Sequence, residues 1–315
     1  MRRRVAALLA GALVMSSLSA VPAAAAACGM ADDLVPAQGA HFGAFADEDR
    51  DGLSQPAALE AKLGHKLGVN HNFQHGAVAD ERIPDDIAAG RIPMISYAAG
   101  PQDELRAKWI NGTLVSEAAA EAKALAAYCV PIFFRYSWEF ELRYTDIELF
   151  KDAWKLFHDV FAEQAPNVAF VWNPTWRAFI DTENGLADEF WPGAEYVDWV
   201  AADGYSRPRT DKPEYNYRSF ESMFGPAYGF AVRYQKPFMV GETGVHRDET
   251  DLNRQAEYLD AARMKIKTSY PELKAFLYFH MDGDMPDNRW RVDLPADNPG
   301  LTALRGFAFD PYFNP

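Results

Sequence analysis

Pro131-Ile132-Phe133-Phe134-Arg135-Tyr136-Ser137-Trp138-Glu139-Phe140 is an apolar run broken by an arginine and, four residues later, by a glutamate. A run this apolar on both parities predicts a strand buried on both faces, as in parallel sheets covered by helices. Period-two alternation puts Arg135, Ser137 and Glu139 on one face and Ile132, Phe134, Tyr136 and Trp138 on the other. Burying either charge unpaired would cost several kcal/mol, on the order of the desolvation of an isolated ion. The segment therefore predicts either a paired, partly wet site or a structural Arg-Glu ion pair at a barrel rim.

Seven further segments of the same kind flank it: His41 to Ala46, Gly68 to Phe73, Ile92 to Ala98, Val168 to Asn173, Val197 to Tyr205, Pro237 to Gly241 and Leu273 to His280. Amphipathic stretches lie between them, among them Ser116 to Tyr128, Asp146 to Ala165, Tyr217 to Tyr234 and Asp251 to Ser269, and Asp146 reads as an N-cap. Eight buried parallel strands alternating with helices predict an α/β fold, a single-domain (β/α)8 TIM barrel over 28–315. Active sites of such barrels sit at the C-terminal strand ends, which here carry His71, Asn72, Tyr97, Glu139, Trp172, Asn173, Asp203, Tyr205, Glu242, His280 and Asp282.

Residues 1–27 begin Arg2-Arg3-Arg4, continue through an apolar stretch and end in Ala23 to Ala27, the pattern of a secretory signal peptide. The chain is thus expected to be secreted, with a lipid anchor on Cys28 as the lesser alternative. No later segment is long and apolar enough to span a bilayer, so no membrane insertion is expected. The two cysteines, Cys28 and Cys129, are free to pair as a disulfide in an oxidising compartment. A formal net charge of −14 argues against nucleic acid as a partner and leaves a small molecule or glycan.

Strands four and seven lie across the barrel from each other, so Glu139 and Glu242 are expected to face one another over its mouth. Two carboxyl groups about 5 to 5.5 Å apart suit a retaining glycosidase, and roughly 6.5 to 9.5 Å an inverting one. Phe134-Arg135-Tyr136-Ser137-Trp138-Glu139-Phe140 resembles the acid/base motif of glycoside hydrolase family 26, the β-mannanase family, with its arginine four residues before the glutamate. Pro192 to Val200, continuing to Asp203-Gly204-Tyr205, is similar to that family's sixth strand, and Lys236 to Gly244 to the segment bearing its nucleophile. Glu60 to Gly64 and Val171 to Pro174 resemble it too, so the resemblance covers most of the chain.

The resemblance implies a retaining mechanism without a cofactor. Glu242 would attack the anomeric carbon, Glu139 would act as acid/base, and Arg135 and Tyr205 would hydrogen-bond the nucleophile. The acid needs a raised pKa while the nucleophile stays charged beside a cation. Two departures stand out: Trp138 replaces the family's usual histidine, and Glu141 its usual asparagine. Both bear on the sugar more than on the reaction.

Tyr97, Trp138, Trp172, Trp176, Tyr205 and Trp290 are candidate stacking platforms for sugar rings, with core packing as the plain alternative for each; Asp203 and Glu141 complete the candidate site. Asp47, Asp49, Asp51 and Gly52 imitate a calcium loop but lack its closing glutamate, and no metal is expected. The sequence thus predicts a monomer acting on a β-linked polysaccharide, most readily a mannan. Rivals are a lichenase-like or β-1,3-glycan hydrolase, a transglycosylase using the same glutamates, and a non-catalytic glycan-binding barrel.

Overall fold

The computed structural model describes residues 28–46, 55–74, 82–180, 185–209, 212–283 and 288–315. The signal segment and the calcium-like loop residues Asp47, Asp49, Asp51 and Gly52 lie outside them. Eight strands close a parallel barrel in chain order: β1 His41–Ala46, β2 Val69–Gln74, β3 Ile92–Tyr97, β4 Ile132–Tyr136, β5 Val168–Trp172, β6 Trp199–Ser206, β7 Phe238–Val245 and β8 Leu273–His280, with β8 pairing back onto β1. Helices α1 Gln55–Leu63, α2 Arg82–Ala89, α3 Gln102–Asn111, α4 Thr113–Ala126, α5 Ile147–Gln164, α6 Ala187–Phe190, α7 Phe220–Arg233, α8 Arg254–Ser269 and α9 Pro299–Phe309 surround it. The predicted (β/α)8 barrel is the observed one. Asp146 caps α5 as the sequence suggests, its side chain accepting from the Leu149 N–H at 3.1 Å.

Alternation sorts the core into two layers. Inward residues Val69, Met94, Phe133, Ala169, Val171, Trp199, Ala201, Met239, Ala275 and Leu277 fill the barrel, and Leu34 joins them from the short 3-10 turn Ala31–Leu34. Outward residues such as Phe134, Tyr136, Val200, Val240 and Phe276 pack under the helices. A disulfide ties Cys28 to Cys129, linking the start of the described chain to the residues before β4. Among the described residues no helix is long and apolar enough to cross a membrane.

One strand breaks the alternation. On β6, Ala202 pairs with Val240 and the very next residue, Asp203, pairs with Glu242, skipping Gly241; towards β8, the span from Val240 to Thr243 matches only Phe276 to Tyr278. The extra residue is a β-bulge, a device that re-aims side chains beside active sites. Strict alternation from the inward Met239 would turn Glu242 to the helices with Val240. The bulge turns it inward instead, and Thr243 takes the outward position, its hydroxyl 3.3 Å from Tyr258 of α8.

Candidate active site

Above the apolar barrel filling the inward positions turn polar: Val69 is followed by His71, Met94 by Ser96, Phe133 by Arg135, Val171 by Asn173 and Ala201 by Asp203. Arg135 is fully buried at the centre of this layer and its five N–H donors all find acceptors. Nε donates to Ser96 Oγ at 2.6 Å; Nη1 reaches Asn173 Oδ1 at 3.2 Å and both Asp203 oxygens at 3.1 and 2.8 Å; Nη2 reaches His71 Nε2 at 3.0 Å and Glu242 Oε1. A buried guanidinium satisfied in this way has one orientation, so the plane of the fork fixes where Glu242 points.

The hydrogen bonds also fix a tautomer. Arg135 Nη2 can only donate, and it lies 3.0 Å from His71 Nε2, which is also 2.7 Å from Ser96 Oγ. His71 Nε2 is therefore an acceptor and the ring is neutral. Burial first, and then the Arg135 charge, hold its pKa well below the usual histidine range, in agreement with the geometry.

Glu242, with a side chain 6% exposed, receives a second hydrogen bond from the Tyr205 hydroxyl to Oε2. Burial, with the Glu242 charge adding to it, keeps the Tyr205 phenol well above its ordinary pKa, so Tyr205 remains a donor. Gly241 makes this packing feasible: a Cβ there would lie 2.1 Å from Asn173 Oδ1 and 2.7 Å from Asp203 Oδ1. The glycine beside the glutamate thus makes room for the acceptors of Arg135.

The predicted continuation of β4 through Phe140 is not observed: the strand stops at Tyr136, and Ser137 and Glu139 both adopt left-handed backbone, at φ 47° and 51°. Conformations of this kind cost energy in non-glycine residues and persist where surrounding bonds hold them. Ser137 N donates to Tyr97 O and Glu139 N to Asn173 O, both at 2.8 Å, and Ser137 Oγ accepts from Ala99 N at 3.1 Å. The turn also overturns the predicted face of Trp138. Instead of joining Tyr136 beneath the helices, Trp138 lies edge-on to Phe73 at 4.9 Å, between the guanidinium carbons of Arg135 at 5.4 Å and Arg143 at 4.3 Å.

Glu139 is left at the mouth with its side chain 26% exposed. Burial pushes its pKa up to about 7; the Glu242 charge adds to this and Arg135 opposes it. Glu141, behind it, turns away to accept from Thr175 N at 2.8 Å, and its charge contributes a smaller push on Glu139. Glu139, Asp203, Tyr205 and Glu242 line one open cleft of about 430 Å3, walled by Trp176, Tyr215, Phe279, Met281 and Trp290. The Trp290 ring lies 4.8 Å from Tyr205 and rests against Gly244.

Of the predicted site residues, the structure brings Glu139, Glu242, Arg135, Asp203 and Tyr205 together, with Trp176 and Trp290 on the wall. It does not bring Tyr97 and Trp172 there. Tyr97 faces the helices, bonding Glu117 of α4 and stacking near Phe134 and Tyr136, and Trp172 packs on Phe230 and Trp191. Both end strands on the outward parity. Sequence reasoning missed Ser96, Asn173 and His71 as acceptors of Arg135, although a serine inside the apolar run Pro93-Met94-Ile95-Ser96 is the kind of buried polar group that needs a partner.

A parallel barrel with two carboxylates of unlike environment in one aromatic-walled cleft defines a glycosidase-type site. The family model for glycosyl hydrolase family 26 matches residues 95–233, a span that holds Arg135, Glu139, Asn173, Asp203 and Tyr205. Over that span the chain is similar to glycosyl hydrolase family 26. Endoglucanase H of Acetivibrio thermocellus is 26% identical over 258 residues, 77% of this chain, and the match spans 27% of that protein's length. Among solved structures, the fold is similar to the YdhT protein from Bacillus subtilis (20% identity, 87% of each chain, TM-score 0.58). It is also similar to a modular endo-β-1,4-mannanase from Cellulomonas fimi (14% identity, 90% of this chain and 74% of that one, TM-score 0.63).

Proposed function

We propose that the chain is a retaining glycoside hydrolase that cleaves β-linkages in a polysaccharide, with Glu242 as nucleophile and Glu139 as acid/base. The observation that carries this is the contrast between two carboxyls in one cleft. Arg135 and Tyr205 both donate to Glu242 and aim it, whereas the carboxyl of Glu139, raised to about 7, keeps a proton to give at neutral pH. In the first half-reaction Glu242 bonds to the anomeric carbon as the glycosidic bond breaks, and the Glu139 proton goes to the leaving oxygen. In the second, Glu139 takes a proton from water, whose oxygen displaces Glu242.

A β-mannan backbone is the first candidate substrate, supported by the likeness to the Cellulomonas fimi mannanase. A β-glucan is the second, favoured by the 26% identity to an endoglucanase. The Cys28–Cys129 disulfide supports action in an oxidising compartment outside the cytoplasm. The test is release of reducing sugar from mannan, mixed-linkage glucan, β-1,3-glucan and xylan, with proton NMR of the first product formed. Cleavage of one polymer with the β-anomer appearing first is expected. A folded protein inactive on every polymer would favour a binding barrel, and an α-anomer appearing first would exclude retention.

A further inference from the structure

One wall of the cleft carries four arginines in a strongly acidic protein. Arg177, Arg207, Arg209 and Arg218 all line the space above Glu139 and Glu242, although the chain carries a formal net charge of −14. Arg177 lies in the 3-10 turn Trp176–Phe179 after β5, and the other three lie on the loop after β6. Tyr217 N donates to Arg207 O at 2.9 Å and Arg209 N to Asn216 Oδ1 at 3.1 Å, pinning the two ends of that loop together, while Arg207 Nη1 donates to Asn288 Oδ1 at 2.9 Å.

Arg218 is held differently from the arginines elsewhere on this rim. Arg247 pairs with Asp282, Arg254 with Asp248 and Arg289 with Glu249. Arg218 makes no ion pair among the described residues. Its guanidinium lies over two rings, 4.8 Å from the centre of Trp176 and 5.0 Å from that of Tyr215. Stacking fixes the plane of the group without using its N–H edge, and a fork preorganised in this way matches a planar or tetrahedral oxyanion bidentately. Neutral sugars present hydroxyls and C–H faces, which need no cation held ready with its N–H edge free of a carboxylate.

We propose that the substrate carries an anionic group, a carboxylate or a sulfate, on a sugar bound beside the cleavage point, and that Arg218 receives it on the Trp176–Tyr215 platform. The proposal rests on the glycosidase reading and narrows its substrate from a plain mannan or glucan to a β-linked backbone that carries an acidic sugar or substituent.

The test measures binding, so that it stands apart from catalysis. Glu242→Ala is titrated by calorimetry with three β-linked oligosaccharides of equal length, one neutral, one bearing a uronate and one bearing a sulfate ester, at low and high salt. One or both acidic ligands are expected to bind about tenfold tighter than the neutral one, the gain of a charge-assisted bidentate contact, and to lose that margin in salt. Whichever of the two acidic ligands binds tighter names the group. Adding Arg218→Gln should remove most of the preference with an unchanged melting temperature, and Arg218→Lys should restore only part of it, because the point charge returns without the stacked fork. Equal or tighter binding of the neutral ligand, or a preference untouched by Arg218→Gln, would overturn the proposal. Acidic preference in a wild type that cleaves none of the three ligands would instead refute the glycosidase reading alone.

Discussion

Asp203 and Glu242 are paired residues on neighbouring strands, brought into register by the one-residue bulge at Gly241, and both bind the guanidinium of Arg135. One cation thus fixes two carboxylates, and one irregularity in the sheet decides that the second points into the cleft. A buried ion pair of this kind is weak evidence for stability, since desolvation offsets its attraction, but breaking it leaves an uncompensated charge. Its geometry serves the site.

Replacing Arg135 should therefore hurt twice. Arg135→Lys keeps a charge but loses the five-donor fork, and kcat is expected to fall about 10²–10³-fold, as when one preorganised donor is removed. Arg135→Met leaves Asp203 and Glu242 buried without a cation and should cost about 3–5 kcal/mol in denaturant unfolding. Wild-type kinetics in Arg135→Lys would show that Glu242 is aimed by something else.

Gly241→Ala tests the bulge. The new methyl would collide with Asn173 and Asp203. A loss of about 1–3 kcal/mol of stability, typical of overpacking, should come with a fall in kcat much larger than any change in KM. A variant with altered stability and unaltered kcat would separate the glycine's packing role from the chemistry.

The raised Glu139 carboxyl predicts a pH dependence in two observables. Activity should decline above about pH 7 as the general acid loses its proton. Stability moves in the same direction, because a carboxyl whose folded pKa lies above its unfolded value favours folding below the unfolded value, and that contribution is lost as pH rises through about 7. Glu139→Gln should thus melt higher than wild type at pH 8, with the difference shrinking towards pH 5. Melting curves that shift equally at both pH values would contradict this.

Much of the barrel is legible in the sequence, because strands buried on both faces announce themselves as continuous apolar runs. Parity, however, is legible only while a strand stays regular. The left-handed turns at Ser137 and Glu139 moved Trp138 off its predicted face, and the bulge at Gly241 leaves no mark in a run that reads Met239-Val240-Gly241-Glu242. Tyr97 and Trp172 resemble platforms by position, yet each ends its strand on the outward parity. The acceptors of Arg135 come from five other places around the barrel, β2, β3, the residue after β5, β6 and β7, and only its closure brings them to one guanidinium.

The disulfide closes a loop of 101 residues that contains β1, β2 and β3. In the chain-entropy model a loop of this length contributes about 4–5 kcal/mol. Cys28→Ser with Cys129→Ser should lower the melting temperature clearly while leaving kcat on a soluble substrate unchanged, since neither cysteine lines the cleft. An unchanged melting temperature would mean that the crosslink constrains little in the unfolded chain.

The central claim is that Glu242 attacks the anomeric carbon, and azide rescue tests it most directly. Glu242→Ala should lose activity by a factor on the order of 10⁵ or more, and added azide, entering the space left by the carboxylate, should restore turnover and yield the α-glycosyl azide. Glu139→Ala, by contrast, should yield the β-glycosyl azide, because there azide replaces the water of the second step. Substantial activity in Glu242→Ala without azide, or an α-azide formed by Glu139→Ala, would contradict the assignment.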